Sequence, residues 1–502
     1  MAHVEEKSEP QIGIEVEDAV KNNGQGIFES PSDPDEVSRR KKLTRKILWK
    51  IDIRIIPLLA AMYLCCYFDR SNVGNAKILG LQKDLDLDAH KYGTALAVYY
   101  IFYILAELPS ALLLKKVSPR IWLACLGCAC GIVGMCLAFV RNYGGFVAVR
   151  LFLGLVEGGL LPGIVVYFSS MYTRAEIAVR IGVFYTASVL SGAFGGLLAR
   201  GLSSIGPYGH VMDAGWRWIM LIEGLLTLVS AAMVYAFLPN SVATAEFLTP
   251  EERGFAVERL YRDTTQHYLE QSEMRAEKFS WAEVVRGVLT LQLWLTSLAY
   301  LCLLAAIYSF GLFLPSIIKD LGYTANAAQL WSVIPYAVAT VTCIASAALS
   351  DRLRLRGPFM LLSLFIAIIG YATIANIDES KVHARYGMTI VIAAGIYSSA
   401  PPCISWNTNN SAGHYKRATT TGFQLGFANL GGFIGSFIYP STQGPRYFES
   451  HTIIMSLLCF ACLMVTLNIL WCAKINRDKA NGKYDQYIGY GDDRDPKFKM
   501  TL

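Results

Sequence analysis

The chain has 502 residues, of which 54% are hydrophobic and 17% charged, whereas soluble domains average about 45–50% apolar and about 25% charged. That balance excludes an ordinary soluble domain, and the net charge of +6 follows from loop lysines and arginines and not from a nucleic-acid surface. The chain holds no GxxxxGK[ST] phosphate loop and no clustered histidines, which argues against an ATP-driven pump and against a membrane enzyme such as an acyltransferase.

Residues 1–36 carry ten acidic residues against two lysines and, with the basic run that follows, predict a disordered cytoplasmic tail over 1–46. No cleavable signal peptide is expected, because these residues are polar and the first apolar segment must serve as the targeting signal. Twelve apolar blocks follow, at 53–76, 92–114, 121–140, 145–171, 180–200, 216–238, 290–314, 329–349, 358–376, 386–406, 418–440 and 451–473. Each is close to the ~20 residues that a helix needs to cross about 30 Å of hydrocarbon.

An even number of crossings puts both termini on one side. Arg39, Arg40, Lys41, Lys42, Arg45 and Lys46 before the first block, Lys115, Lys116 and Arg120 after the second, and Arg352, Arg354 and Arg356 after the eighth make that side cytoplasmic. Lys77, Lys83 and Lys91 break the rule in the first outer loop, where Asp84, Asp86 and Asp88 offset them. All twelve cysteines fall within predicted spans and read as small apolar residues. The CLGCAC run lacks a partner histidine or a second CxxC, so no metal is expected.

The long interior break at 239–289 contains LTPEERGFAVERLYRD, with Thr249 placed to cap a helix and Pro250 at its first position. The expected plan is an all-α membrane protein of 12 transmembrane helices in two six-helix pseudo-symmetric halves. A bundle at 47–238 and a bundle at 290–473 flank a cytoplasmic central loop at 239–289 with short amphipathic helices, and a cytoplasmic tail occupies 474–502. Gly192 and Gly196 in the fifth block and Gly431 and Gly435 in the eleventh repeat a four-residue spacing of small residues that lets helices approach closely.

Two charges sit inside the fourth block. Arg150 and Glu157 are seven residues apart, hence within about 20° of one helix face and about 10 Å apart along the axis. They form a stripe and not a contact pair. Each costs about 2.5–3.5 kcal/mol at a helix centre, so both must face protein, water or a partner charge. Pro162 leaves the carbonyl of Gly158 without its donor just beyond Glu157. In the first block, Asp69 and Arg70 follow an apolar run; they lie within the membrane if that helix continues to about Ala76, and at the outer interface if it ends at Phe68.

Carboxylates and arginines on inward faces suit proton exchange and bidentate capture of a carboxylate. A buried salt-bridge cluster that only fixes helix packing is the alternative. Glu107 and Glu223 are expected towards helix ends as gate or packing contacts. Tyr99, Tyr103, Trp406, Asn409, Gln424 and Asn429 are candidate cavity residues, with interfacial anchoring or inter-helix bonding as the competing role for each.

The segments YFDRSNVGNAKI, VRLFLGLVEGGLLPG, GWRWIMLIEG, SDRLRLRGPF and NNSAGHYKRATTTG, in this order, resemble the anion:cation symporter family of the major facilitator superfamily, in its fungal branch of allantoate, nicotinate and pantothenate permeases. The resemblance implies alternating-access transport with Asp69 and Glu157 as the protonatable pair and Arg70 and Arg150 as fixed cations. It also implies a gate at Asp351, Arg352 and Arg356, while LLLKKVSPRIW lacks the matching Gly-x-x-x-Asp-Arg motif in the first half.

The expectation is therefore a monomeric plasma-membrane importer of a small organic anion such as nicotinate. Its coupling ion would be the proton, with no cofactor and no nucleic-acid partner. A non-transporting nutrient receptor and a proton-independent facilitator are the alternatives.

Overall fold

In a computed structural model of the chain, the described residues are 34–114, 117–203, 205, 214–260, 281–353, 355–378, 380–412, 414–488, 493–496 and 498–502. Helix covers each of the twelve apolar blocks, and there is no strand among the described residues. The first half contains α1 (Pro34–Ala76), α2 (Ala89–Leu114), α3 (Pro119–Leu137), α4 (Tyr143–Glu157), α5 (Leu160–Met171), α6 (Arg174–Ser203) and α7 (Gly215–Phe237). The connection carries α8 (250–260) and α9 (Trp281–Val288). The second half contains α10 (Leu291–Asp320), α11 (Ala325–Trp331), α12 (Val333–Leu353), α13 (Gly357–Asn376), α14 (Val382–Asn409), α15 (His414–Gly435) and α16 (Phe448–Ala480).

Nine helical stretches among the described residues are long and apolar enough to cross a membrane. Helices α2, α6 and α15, of 26, 30 and 22 residues, also reach spanning length and occupy the other three blocks. Lipid supplies little hydrophobic drive for helix pairing, so close approach and inter-helix hydrogen bonds must hold the bundle. Within the first half, α1 packs on α6 and α7, α2 on α4, and α3 on α7; within the second, α10 packs on α15 and α16, and α14 on α12 and α13.

The two expected tails are partly built into the helices. Residues 34–46, predicted within a disordered tail, extend α1 by three turns. Acidic Asp35 and Glu36 stand in the first turn, where they favour the positive helix end, and Arg40 pairs with Glu36 one turn away at 3.1 Å. The acidic part of that tail, 1–33, lies outside the described residues. At the other end, α16 runs on to Ala480, and residues 493–496 and 498–502 lie as a strap against the second half. The buried Lys479 ammonium donates to the carbonyls of Asp493, Asp495 and Phe498 at 2.6, 3.2 and 2.7 Å. Asp493 takes Lys416 of α15 at 2.7 Å and Arg286 of α9 at 3.4 Å.

The described contacts between the halves join α6 to α12, α2 to α15 and α1 to α10. They gather at the end of the bundle away from the strap and α8. There Lys319 Nζ donates to Ile78 O at 3.4 Å and Arg200 Nη1 to Asn326 O at 3.2 Å. Gly192 faces the Tyr336 ring across the same seam, and a Cβ on Gly196 would stand 2.7 Å from Gln329 O. Gly431 and Gly435 instead face α10 within their own half, so the repeated glycine spacing serves different neighbours in the two halves.

On the strap side, Thr249 and Glu252 form the expected cap of α8: Glu252 N donates to Thr249 Oγ1 at 3.3 Å and Thr249 N to Glu252 Oε2 at 3.2 Å. Lys50 and Lys46 of α1 reach the same carboxylate at 2.6 and 3.1 Å. Lys50 first, then Lys46 and the Thr249 amide, pull the Glu252 carboxyl from 4.5 down to about 2. A carboxyl lowered on folding stabilises fully above its ordinary range and ceases to as pH falls through its folded value. The α8–α1 junction should thus weaken between about pH 5 and about pH 2. Melting curves of purified protein over that range should show a pH-dependent loss that Glu252→Gln diminishes; an unchanged slope in the variant contradicts the assignment.

Candidate functional site

Helix α1 continues unbroken through Asp69 and Arg70, so the pair lies inside the bundle and not at an interface flank. Asp69 and Arg150 are fully buried, and Glu157 and Arg70 are 2% and 5% exposed, which removes all four from lipid. Helix α4 ends at Glu157 and α5 starts at Leu160. The break falls where Pro162 deprives Gly158 O of its donor, and it frees the chain beside the carboxylate.

Arg70 Nη2 donates to Glu157 Oε1 at 3.0 Å and to the Tyr99 hydroxyl at 2.5 Å, and Tyr99 in turn donates to Glu157 Oε2. One carboxylate is thereby held by a guanidinium and a phenol that also bond each other. The Arg70 guanidinium lies 4.6, 5.1, 4.9 and 5.6 Å from the ring centres of Tyr67, Tyr99, Tyr103 and Tyr308. The rings' negative faces help hold its charge away from water.

Arg150 stacks on the Tyr99 ring, 4.8 Å from its centre, so a single tyrosine touches both charges of the α4 stripe. Arg150 Nη1 donates to the main-chain carbonyl of Asp69 at 3.1 Å, and Nε and Nη2 have no hydrogen-bond partner among the described residues. Both oxygens of Asp69 are likewise without one.

Tyr67, Arg70, Tyr100, Tyr308, Tyr336 and Tyr397, drawn from both halves, line a cavity of about 20 Å³, room for about one water molecule. Arg70 and not Arg150 faces it. Tyr308 donates to Asn429 Oδ1 at 2.8 Å, which gives Asn429 a positioning part at this cavity. Gln424 is buried between helices, with Nε2 3.5 Å from Cys403 O. Tyr103 contributes its ring beside Arg70.

Other candidate residues lie apart from this cavity. Helix α14 runs on to Asn409, which carries Trp406 and Asn409 about 13–18 Å beyond Tyr397 along the axis. Trp406 there donates its indole to Thr501 O of the strap at 2.8 Å, and Asn409 is exposed. Arg352 is exposed too, and Arg356 is held to Ser350 Oγ at 3.0 Å and, through its amide, to Leu502 O at 2.6 Å. The Asp351 side chain lies outside the described residues. Glu223 is not at a helix end: it is the ninth residue of α7, fully buried, and accepts from Asn72.

Tyr67 is three residues before Arg70, a helical neighbour that the YFDR spacing already contains. Tyr308, Tyr336 and Tyr397 have no local signal; packing of one half on the other brings them in.

The sequence profile of the Major Facilitator Superfamily matches residues 59–436. The chain belongs to the major facilitator superfamily. It is 32% identical over 486 residues to the high-affinity nicotinic acid transporter of Saccharomyces cerevisiae, covering 94% of this chain and 88% of that one. It is also 31% identical to an uncharacterised transporter of Schizosaccharomyces pombe, over 99% of this chain and 98% of the relative. Among solved structures, a D-xylose-proton symporter matches with TM-score 0.64 at 15% identity, over 83% of this chain and 97% of that chain. These relatives are transporters, and this major facilitator protein is a membrane-spanning transporter and not an enzyme.

Helix α4 can present its stripe to Arg70 only because α2 approaches it closely. A Cβ on Gly154 would strike the carbonyl oxygen of Tyr99, and one on Gly158 that of Tyr103. Gly154→Val should force α4 away from α2 at an overpacking cost of about 1–3 kcal/mol and shift the detergent-solubilised protein towards aggregate in size-exclusion profiles. Gly201→Ala, which meets nothing within 4 Å, should run as wild type; equal profiles for both variants contradict the packing account.

Proposed function

We propose that this transporter imports a small organic anion, a carboxylate such as nicotinate, together with protons by alternating access. The observation that carries the reading is the Arg70–Glu157 ion pair beside the inter-half cavity. An anion that takes Arg70 must displace Glu157, and a buried carboxylate stripped of its cation is strongly disfavoured, by about 3–5 kcal/mol. A proton on Glu157 removes that penalty. Protonation and anion binding therefore favour each other on the same few atoms, which is the linkage a symporter requires.

Tyr99 keeps a bond to Glu157 in either charge state, since its hydroxyl can donate to a carboxylate or accept from a carboxylic acid. Arg150 and Asp69 hold further charge behind it. The resemblance to a nicotinic acid transporter across nearly the whole chain supports a carboxylate vitamin as cargo. With both termini cytoplasmic, the seam closed away from the strap corresponds to an arrangement sealed on the outside. A plasma-membrane location and a monomer complete the reading, with the proton as coupling ion and no cofactor.

Proteoliposomes with an imposed pH gradient and radiolabelled nicotinate test this. Wild type should accumulate the label, whereas Glu157→Gln and Asp69→Asn should lose uphill accumulation and retain exchange of labelled for unlabelled substrate. Arg70→Lys should weaken binding about tenfold, the loss of one charge-assisted hydrogen bond at about 1.4 kcal/mol. Accumulation at the wild-type level in both carboxylate variants contradicts proton coupling and leaves a proton-independent facilitator. Binding without accumulation in the wild type leaves a receptor.

A further inference from the structure

Glu223 stands outside the Arg70–Glu157 pair and has a geometry of its own. It is fully buried in the middle of α7. Its Oε1 accepts from Asn72 Nδ2, and its Oε2 has no hydrogen-bond partner among the described residues. Asn75 Nδ2 donates to Asn72 Oδ1 at 2.6 Å, which fixes the Asn72 amide so that its NH2 must point at Glu223. Asp69, one turn earlier on the same face of α1, is fully buried with both carboxylate oxygens unpartnered.

The elements around these two groups bring few compensating charges. Helix α3 presents glycine: a Cβ on Gly134 would lie 2.8 Å from Asp69 Oδ2, and one on Gly131 would lie 2.8 Å from Gly224 O. Helix α6 presents Gly195 to Asn72, and its charged residues 174, 176, 180 and 200 lie near its two ends. On α7 itself, Arg217 is committed to Ala138 O and Val140 O at 2.7 and 2.8 Å. From α1 come Arg70 and the Cys65 thiol, and from α4 come Arg150 and Glu157.

Three buried carboxylates thus face two guanidiniums. Glu157 takes Arg70, and Arg150 can offset one of the remaining two. A third, unpaired anion here would bear a large desolvation cost, which one proton removes.

We propose that Glu223 is a proton-binding site that shares one proton with Asp69, separate from the site at Glu157, with Asn72 as the positioning residue that holds the ionised form of Glu223. The consequence for transport rests on the proton-coupled reading above: this proton travels with the one on Glu157, so each monoanion moves with net positive charge and the membrane potential adds to the driving force.

Infrared difference spectra of the purified full-length protein across a pH titration read the site without any transport. The wild type should show the carbonyl stretch of a protonated buried carboxyl, and Glu223→Gln should diminish it. Asn72→Leu, which removes the donor to the anion, should move its disappearance to higher pH; this variant keeps the test decisive if Glu223→Gln does not fold. In proteoliposomes, Glu223→Gln should carry one proton fewer per anion while substrate exchange persists. No such band in the wild type, a band unchanged in both variants, or a band abolished by sodium at constant pH overturns the proposal. A band that behaves as stated in a wild type with no uphill uptake leaves the site standing and removes the coupled-transport reading instead.

Discussion

The structure of the first half is organised around one constraint: a guanidinium and a carboxylate, Arg70 and Glu157, meet at 3.0 Å where no lipid and little water can reach them. In such surroundings a buried pair is close to neutral for stability, while either member alone is costly. The pair is therefore a switch more than a staple. The local sequence serves that arrangement. Glycines on α4 bring its backbone against α2, Pro162 opens the helix beyond Glu157, and Tyr99 bonds the pair with its hydroxyl and supports Arg150 with its face.

The surrounding scaffold separates fixed regions from movable ones. On the strap side each half has its own belt. In the first, Glu252 of α8 holds Lys46 and Lys50 of α1, while Arg180 of α6 holds Asp52 at 2.8 Å. In the second, the strap ties α9, α14, α15 and α16 together through Asp493, Lys479 and Thr501. The described contacts between halves lie at the other end and at the tyrosine-lined cavity. Two units, each tied within itself and meeting along one seam, are what a rocking motion about a central site needs.

How much of this could be read from the sequence depended on whether the signal was local. The apolar blocks, the charged stripe on α4, the break after Glu157 and the Thr249 cap are properties of a few consecutive residues, and each appears where the spacing puts it. The burial of Asp69 and Arg70 requires α1 to continue past Phe68, which SNVGNA, small and partly apolar, permits. The aromatic wall from Tyr308, Tyr336 and Tyr397 arises only when the halves meet, so no spacing encodes it. Trp406 and Asn409 stand at the strap-side end of α14, several turns from Tyr397, and their distance from the cavity depends on where the halves meet, which no local spacing encodes. The strap has no local signal, because a polar segment reads as solvated until its partners, here Lys479 and Asn410, are known.

The central claim is that an anion displaces Glu157 from Arg70 and that a proton on Glu157 favours the exchange. Calorimetric titration of the purified protein with nicotinate, or with the carboxylate that a thermal-shift screen returns, in buffers of different ionisation enthalpy measures it directly. The account predicts a binding heat that varies with the buffer because a proton is taken up as the anion binds, and a smaller uptake in Glu157→Gln. A wild-type heat independent of the buffer, with the anion bound, would contradict it.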